Sequence, residues 1–137
     1  MSVRRFFCFL VLFAFAAQLC GCEKDKTTVD DTEIYEVYFF DVKDSDASLL
    51  RCGSYNILIN GGDLADSRII YTYLRNKGID YIDLLICTYA TELAAGSFSA
   101  LLDYIKVGKI YAPNYTEKNQ FFSELSSKAD ILGIEMR

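Results

Sequence analysis

"LLICTYATELAAGSFSALL", residues 84–102, decides how the rest of the chain is read. An apolar run closes on a short polar loop, and an amphipathic pattern follows. That layout predicts a buried strand, a loop and a helix. It is the arrangement in which α/β proteins place their chemistry, just beyond the carboxyl end of a strand. Yet the loop itself, Tyr89-Ala90-Thr91-Glu92-Leu93-Ala94, holds few groups able to do chemistry.

Working outward, "YIDLLICT" (81–88) completes the strand, and three further strands and a helix lie upstream or close by. "IYEVYFFDV" (34–42) is rich in β-branched and aromatic residues and predicts a strand. "ASLLRC" (47–52) and "YNILIN" (55–60) flank Gly53-Ser54, the pattern of a tight hairpin. "LADSRIIYTYLRNKG" (64–78) sets Leu64, Ile69, Ile70, Tyr73 and Leu74 at helical spacing, with Gly78 as the stop. Downstream, "FSALLDYI" (98–105) predicts a helix with Phe98, Leu101, Leu102 and Ile105 on one face. "KIYAP" (109–113) predicts a strand, and "NYTEKNQFFSELSSKA" (114–129) a helix with Asn114 and Glu117 spaced as a capping pair. "DILGIEM" (130–136) predicts a final strand.

The resulting order, βββαβαβαβ, places the chain in the α/β class, layered, with a mixed sheet. No element follows the last strand to cover its edge, which suggests an architecture larger than these elements.

Composition narrows the function. The 137 residues suit one domain with a modest core. At 52% hydrophobic and 24% charged, with a single proline, the chain has the make-up of a folded domain. It contains no histidine, which removes both the commonest neutral metal ligand and the usual near-neutral acid/base. A net charge of −5 argues against a nucleic-acid surface, which needs clustered Lys and Arg.

The amino terminus reads as an export signal. Arg4 and Arg5 precede an apolar core over residues 6–17, which is short for a membrane-spanning helix. Leu19-Cys20-Gly21-Cys22 resembles the bacterial lipobox. That resemblance implies cleavage after residue 21, lipid on Cys22 and an extracytoplasmic lipoprotein anchored to the cell membrane. Losing two cations and no acid would take the net charge from −5 to −7. Residues 22–33 then form a polar tether and residues 34–137 the domain. Of the remaining cysteines, Cys52 and Cys87 sit at predicted strand ends; a disulfide between them and two packed thiols are both open.

Three segments carry a second resemblance. "VYFFDVKDSDASLL" (37–50) is similar to the V-x-F-x-D-V-G-Q-G-D-A opening of the metallo-β-lactamase-like domain in ComEC-type competence proteins and their small secreted relatives. "YNILINGGD" (55–63) resembles the hairpin that follows there. Residues 79–114 resemble the strand bearing T-H-x-H-x-D-H-x-G-G and the helix and strand beyond it. The resemblance implies an αββα sandwich of which this chain covers the amino-terminal half, and a hydrolytic zinc or manganese centre. Laid onto this chain, the first two histidine positions are Tyr89 and Thr91, the aspartate is Leu93 and the third histidine is Ala94. Lys43, Asp44 and Ser45 stand where Gly-Gln-Gly would, and Asn60 replaces an acidic residue, while Asp41, Asp46, Asp63 and Gly96 are kept. The stretch reads as a metal site whose ligands have been replaced, so no cofactor is expected and no residue is assigned as catalytic.

Other chemistries are weaker still. Asp41, Asp46, Asp63 and Glu92 could gather at the carboxyl edge of the sheet around a hard cation. The simpler reading makes the three aspartates turn and cap residues. Ser97 and Ser99 have no histidine to activate them, so a Ser-His-Asp arrangement is excluded. Tyr89 is better read as packing its ring than as a nucleophile. Three functions follow: a lipoprotein with a degenerate domain that works by binding, a metal-dependent hydrolase or nuclease using non-histidine ligands or a partner chain, or a truncated non-functional product. A half-sandwich would expose an apolar sheet face, so the expected partners are the membrane, through Cys22, and a protein covering that face.

Overall fold

Hydrophobic alternation along the strands and helical spacing between them produce one six-stranded sheet with four helices, an α/β layered fold. The computed structural model describes residues 35–113 and 120–137. The signal segment, Cys22, the tether and the Asn114–Glu117 capping pair lie outside the described residues.

In chain order the sheet runs β1 (Tyr35–Phe39), β2 (Ser48–Cys52), β3 (Tyr55–Ile59), β4 (Tyr81–Ile86), β5 (Lys106–Tyr111) and β6 (Glu135–Met136). β1, β2 and β3 are antiparallel, with Cys52 paired to Tyr55 across the two-residue Gly53-Ser54 turn. β3 to β6 are parallel. The crossovers carry α1 (Ser67–Asn76), the short α2 (Glu92–Ala95) and α3 (Phe98–Leu101), and α4 (Gln120–Leu132). The described residues all belong to one compact unit, Thr32–Arg137.

All the fully buried apolar side chains form one cluster. Leu49 and Leu58 from the hairpin, Ile82 and Leu85 from β4 and Ile110 from β5 meet Ile70 and Leu74 of α1, Phe98 and Leu101 of α3, and Leu125 and Ala129 of α4. β1 is held to α1 by aromatic contacts: Tyr38 stacks on Tyr73 at 3.9 Å between ring centroids, and Phe40 meets the same ring edge-on at 5.3 Å. Beside them Glu36 takes Arg51 at 3.0 Å and Lys77 at 3.2 Å.

Two expectations are corrected here. The helix predicted over residues 98–105 is shortened to the single turn α3, and an unpredicted turn, α2, stands ahead of it across Gly96-Ser97, although Phe98, Leu101, Leu102 and Ile105 are all buried as the spacing predicted. The strand predicted from Asp130 is the last turn of α4 instead. Ile131 and Leu132 point to solvent there, 83% and 51% exposed, and β6 shrinks to two residues. Gly133 explains the boundary. At φ +69° it takes the left-handed conformation, and Ile134 then donates back to the Ala129 carbonyl at 2.9 Å, closing a Schellman motif. Apolar residues in an exposed helical turn mimic a strand in the sequence.

A third feature has no sequence signal. Core-facing residues in β4 and β5 are three apart, Ile82 with Leu85 and Val107 with Ile110, where a regular strand allows two. The pairing of the two strands skips Asp83 and Gly108 at this point. The Asp83 carboxylate accepts the Asn56 backbone N–H at 2.7 Å in place of a ladder bond. Asn56, itself buried, donates to the Ser54 and Tyr81 carbonyls at 3.2 and 3.1 Å and accepts from Arg51 at 3.2 Å. Its amide is therefore fully used, as a buried polar group must be.

Candidate functional site

Three loops meet at the carboxyl ends of β3 and β4, where a doubly wound sheet would bind its ligand. They are residues 40–47, 60–66 and 87–97. Backbone hydrogen bonds interlock them. Gly61 donates to the Ala94 carbonyl at 2.7 Å, Gly62 to Asp46 at 3.1 Å, and Ser97 to Gly62 at 3.3 Å. Asn60, at φ +54°, accepts the Thr88 backbone N–H at 2.9 Å and its hydroxyl at 3.0 Å through Oδ1. Asparagine tolerates the left-handed region better than most residues, which suits it to this clasp.

The carboxylates in this region close the chain onto itself. Asp63 caps the short 3-10 turn Leu64–Asp66, accepting Ala65 and Asp66 amides at 2.7 and 3.1 Å. Asp66, buried, returns the favour to the Asp63 amide at 3.0 Å and accepts the Ser45 hydroxyl at 2.8 Å. Asp66 is the residue that the sequence reading missed; the DxxD spacing of a reciprocal cap was its only signal. Asp41, Asp46 and Glu92 are exposed. Among the described residues no group of three or more His, Cys, Asp or Glu is placed to hold a metal ion. The four carboxylates singled out in the sequence are thus not gathered into one site.

The four motif positions have structural roles of another kind. Tyr89 donates its hydroxyl to Asp46 at 3.3 Å, and desolvation followed by the Asp46 charge raises its pKa, which keeps the phenol protonated. The Thr91 carbonyl accepts the Ala94 and Ala95 amides at 3.2 and 3.0 Å, starting α2 without help from its side chain. Leu93 is 43% exposed, and Ala94 is fully buried. A zinc or manganese ion needs about three donor side chains with lone pairs. Leu and Ala have none, Thr is a poor ligand, and this Tyr is held as the neutral phenol. These residues do not fit the ion that the resemblance implies.

No disulfide joins Cys52 to Cys87. Burial pushes the Cys87 thiol up to about 11, although its sulfur lies 3.1 Å from the Tyr89 carbonyl. Since the thiolate is the reactive form, maleimide labelling of Cys87 should be nearly absent at pH 7 and rise about tenfold per pH unit toward 11. Peptide mapping after timed labelling checks this; rapid modification at pH 7 would mean that the loop opens freely.

Ser97 shows the opposite economy. Its hydroxyl is fully buried and has no hydrogen-bond partner. An unmet buried hydroxyl costs about 1–3 kcal/mol, so Ser97→Ala should leave stability unchanged or raise it by about 1 kcal/mol. Denaturant unfolding reads the sign directly.

The far side of the sheet is a second candidate. Directly paired residues share a face, and the register puts Val37, Phe39, Leu50, Ile57, Ile59, Leu84 and Ile86 together on the side away from the helices. None of them belongs to the core cluster or packs against it. Phe39 is 76% exposed and Val37 55%. A hollow of about 370 Å³ opens among Tyr55, Tyr81, Asp83, Leu84, Gly108, Lys109 and Tyr111. A Cβ on Gly108 would lie 2.4 Å from the Tyr81 hydroxyl.

A scan against models of known protein families finds no match to this chain, and neither does a search of curated proteins.

Proposed function

We propose that this chain is an exported lipoprotein, tethered through lipid on Cys22, whose degenerate metallo-β-lactamase-like domain works by binding and not by hydrolysis. One observation carries the reading. At the loop after β4, where the resemblance would put four metal ligands, the chain has Tyr89, Thr91, Leu93 and Ala94, and their contacts serve the loop itself. Two hydrocarbon side chains and two weak hydroxyl ligands in place of four strong donors remove the affinity for the ion, not only the rate of a reaction.

The lipobox supports the anchor, and the acidic balance supports a partner other than nucleic acid. Among the described residues no helix is long and apolar enough to cross a membrane, so on this reading attachment falls to the lipid.

The test uses the full chain extracted from membranes in mild detergent. Mass spectrometry should find a lipid-modified amino-terminal peptide beginning at Cys22, absent in Cys22→Ser. After equilibration with zinc, manganese or calcium and desalting, the protein should retain no stoichiometric metal. One ion per chain, with phosphodiesterase or lactamase turnover abolished by a chelator, would overturn the binding reading in favour of a hydrolase with other ligands. An unmodified, uncleaved amino terminus would overturn the lipoprotein reading separately.

A further inference from the structure

The apolar face of the sheet lies outside the core cluster. Its occupant can be narrowed by size, charge and shape.

Size comes first. Five strands of five or six residues, at a spacing of ~4.8 Å and ~3.3 Å per residue, give a face on the order of 400 Å² in plan. A stable interface takes roughly 800 Å² of accessible surface from each partner, so a contact made here would take up the whole face, the relief of its side chains included. A flat sheet face is met most simply by another sheet, packed at about 10 Å with strands nearly aligned.

Charge comes second. Across β1 to β4 the paired positions facing away from the core cluster carry no ionic side chain from Val37 and Phe39 to Leu84 and Ile86. At β5 and β6 Lys109 and Glu135 lie side by side and pair with each other at 2.8 Å. The Asp83 carboxylate at the hollow is turned onto the Asn56 amide. A surface whose charges are already paired does not repel its own copy at short range. It also offers nothing to an anionic lipid headgroup, which a chain of net charge −5 would meet with repulsion.

Shape comes third. The face presents both a projecting aromatic side chain, Phe39, and an aromatic-lined hollow bounded by Tyr55, Tyr81 and Tyr111. A self-complementary interface needs knob and hollow on one surface, and aromatic side chains in pockets are the usual anchors of such contacts.

We infer that this face is the contact between two copies of the chain, sheet against sheet, forming a homodimer with the helices outermost. The inference goes beyond the binding reading and does not depend on lipid at Cys22 or on the fate of the metal motif.

Sedimentation of the full chain in density-matched detergent should show a dimer at micromolar concentration. Phe39→Glu and Val37→Asp should each weaken self-association at least tenfold. Both positions are more than half exposed, so thermal melts at low concentration should be unchanged. Association should hold or strengthen between 50 and 500 mM salt, because the long-range repulsion of two acidic chains is screened while apolar burial is not. Three results would overturn the inference, the first two being a monomer at 100 µM and a dimer that persists unchanged in both variants. The second outcome would place the contact elsewhere, the apolar amino-terminal segment included. Loss of association in salt would point to a charged partner surface and would equally overturn it.

Discussion

Phe98→Ala should lower the stability of the domain by about 3–5 kcal/mol, the largest effect expected of any single truncation here. Phe98 is the biggest of the fully buried side chains, at 0% exposure. It opens α3 and lies under Gly61, where an added Cβ would come within 2.6 Å of its ring. It therefore fills the junction between the sheet's carboxyl edge and the helix layer. Native domains are stable by only about 5–15 kcal/mol, so the loss is at least about a fifth of that. A fall of more than 10 °C in the midpoint of thermal unfolding is expected. Conversely, a drop of only a degree or two would mean that the ring is not packed as described.

Gly96→Ala separates two effects of opposite sign. Gly96 sits at φ −58° and ψ −35°, an ordinary helical conformation. On backbone grounds alanine should therefore help by about 0.4–1 kcal/mol, through the unfolded chain. Sterics oppose it. The new Cβ would lie 2.5 Å from the Glu92 carbonyl oxygen, 3.0 Å from the Leu64 nitrogen and 3.1 Å from the Asp63 Cα. All three are backbone atoms, and the last two belong to a turn held by the Asp63–Asp66 reciprocal cap. They cannot rotate out of the way. Overpacking of this kind costs about 1–3 kcal/mol, and it should win: the variant is expected to be destabilised by about 1–2 kcal/mol on the same two scales. If Gly96→Ala instead raises the midpoint of denaturant unfolding, the loops at the carboxyl edge are not interlocked.

These two residues also show why the site region was only partly legible. Gly96 is one of the motif positions that the sequence keeps, and it stands at the turn between α2 and α3. The sequence does not say that its reason is the approach of another loop, 30 residues away in the chain. Asp63 was read as a cap or turn residue, and it caps. Its partner Asp66 went unnoticed because aspartate at that spacing is a weaker signal than glutamate or glutamine. The absence of histidine rules out Ser97 as a triad nucleophile from sequence alone, but its burial without a hydrogen bond comes only from packing.

Local pattern alone determined the class, the mixed sheet, the Gly53-Ser54 hairpin, the stop at Gly78 and the buried face over Phe98, Leu101, Leu102 and Ile105. Each depends on residues close in sequence, through period-two or period-3.6 alternation and the chemistry of turns. It also determined that Leu93 and Ala94 offer no lone pair to a metal, because ligand chemistry is a property of the side chain itself. Only the tertiary structure decided the extra helical turn Glu92–Ala95 ahead of Gly96 and the three-residue step at Asp83 and Gly108. It alone placed the tyrosine-lined hollow among strands β3, β4 and β5. The reason is the same in each case: these features arise where segments distant in the chain compete for one space, and no local window contains both competitors.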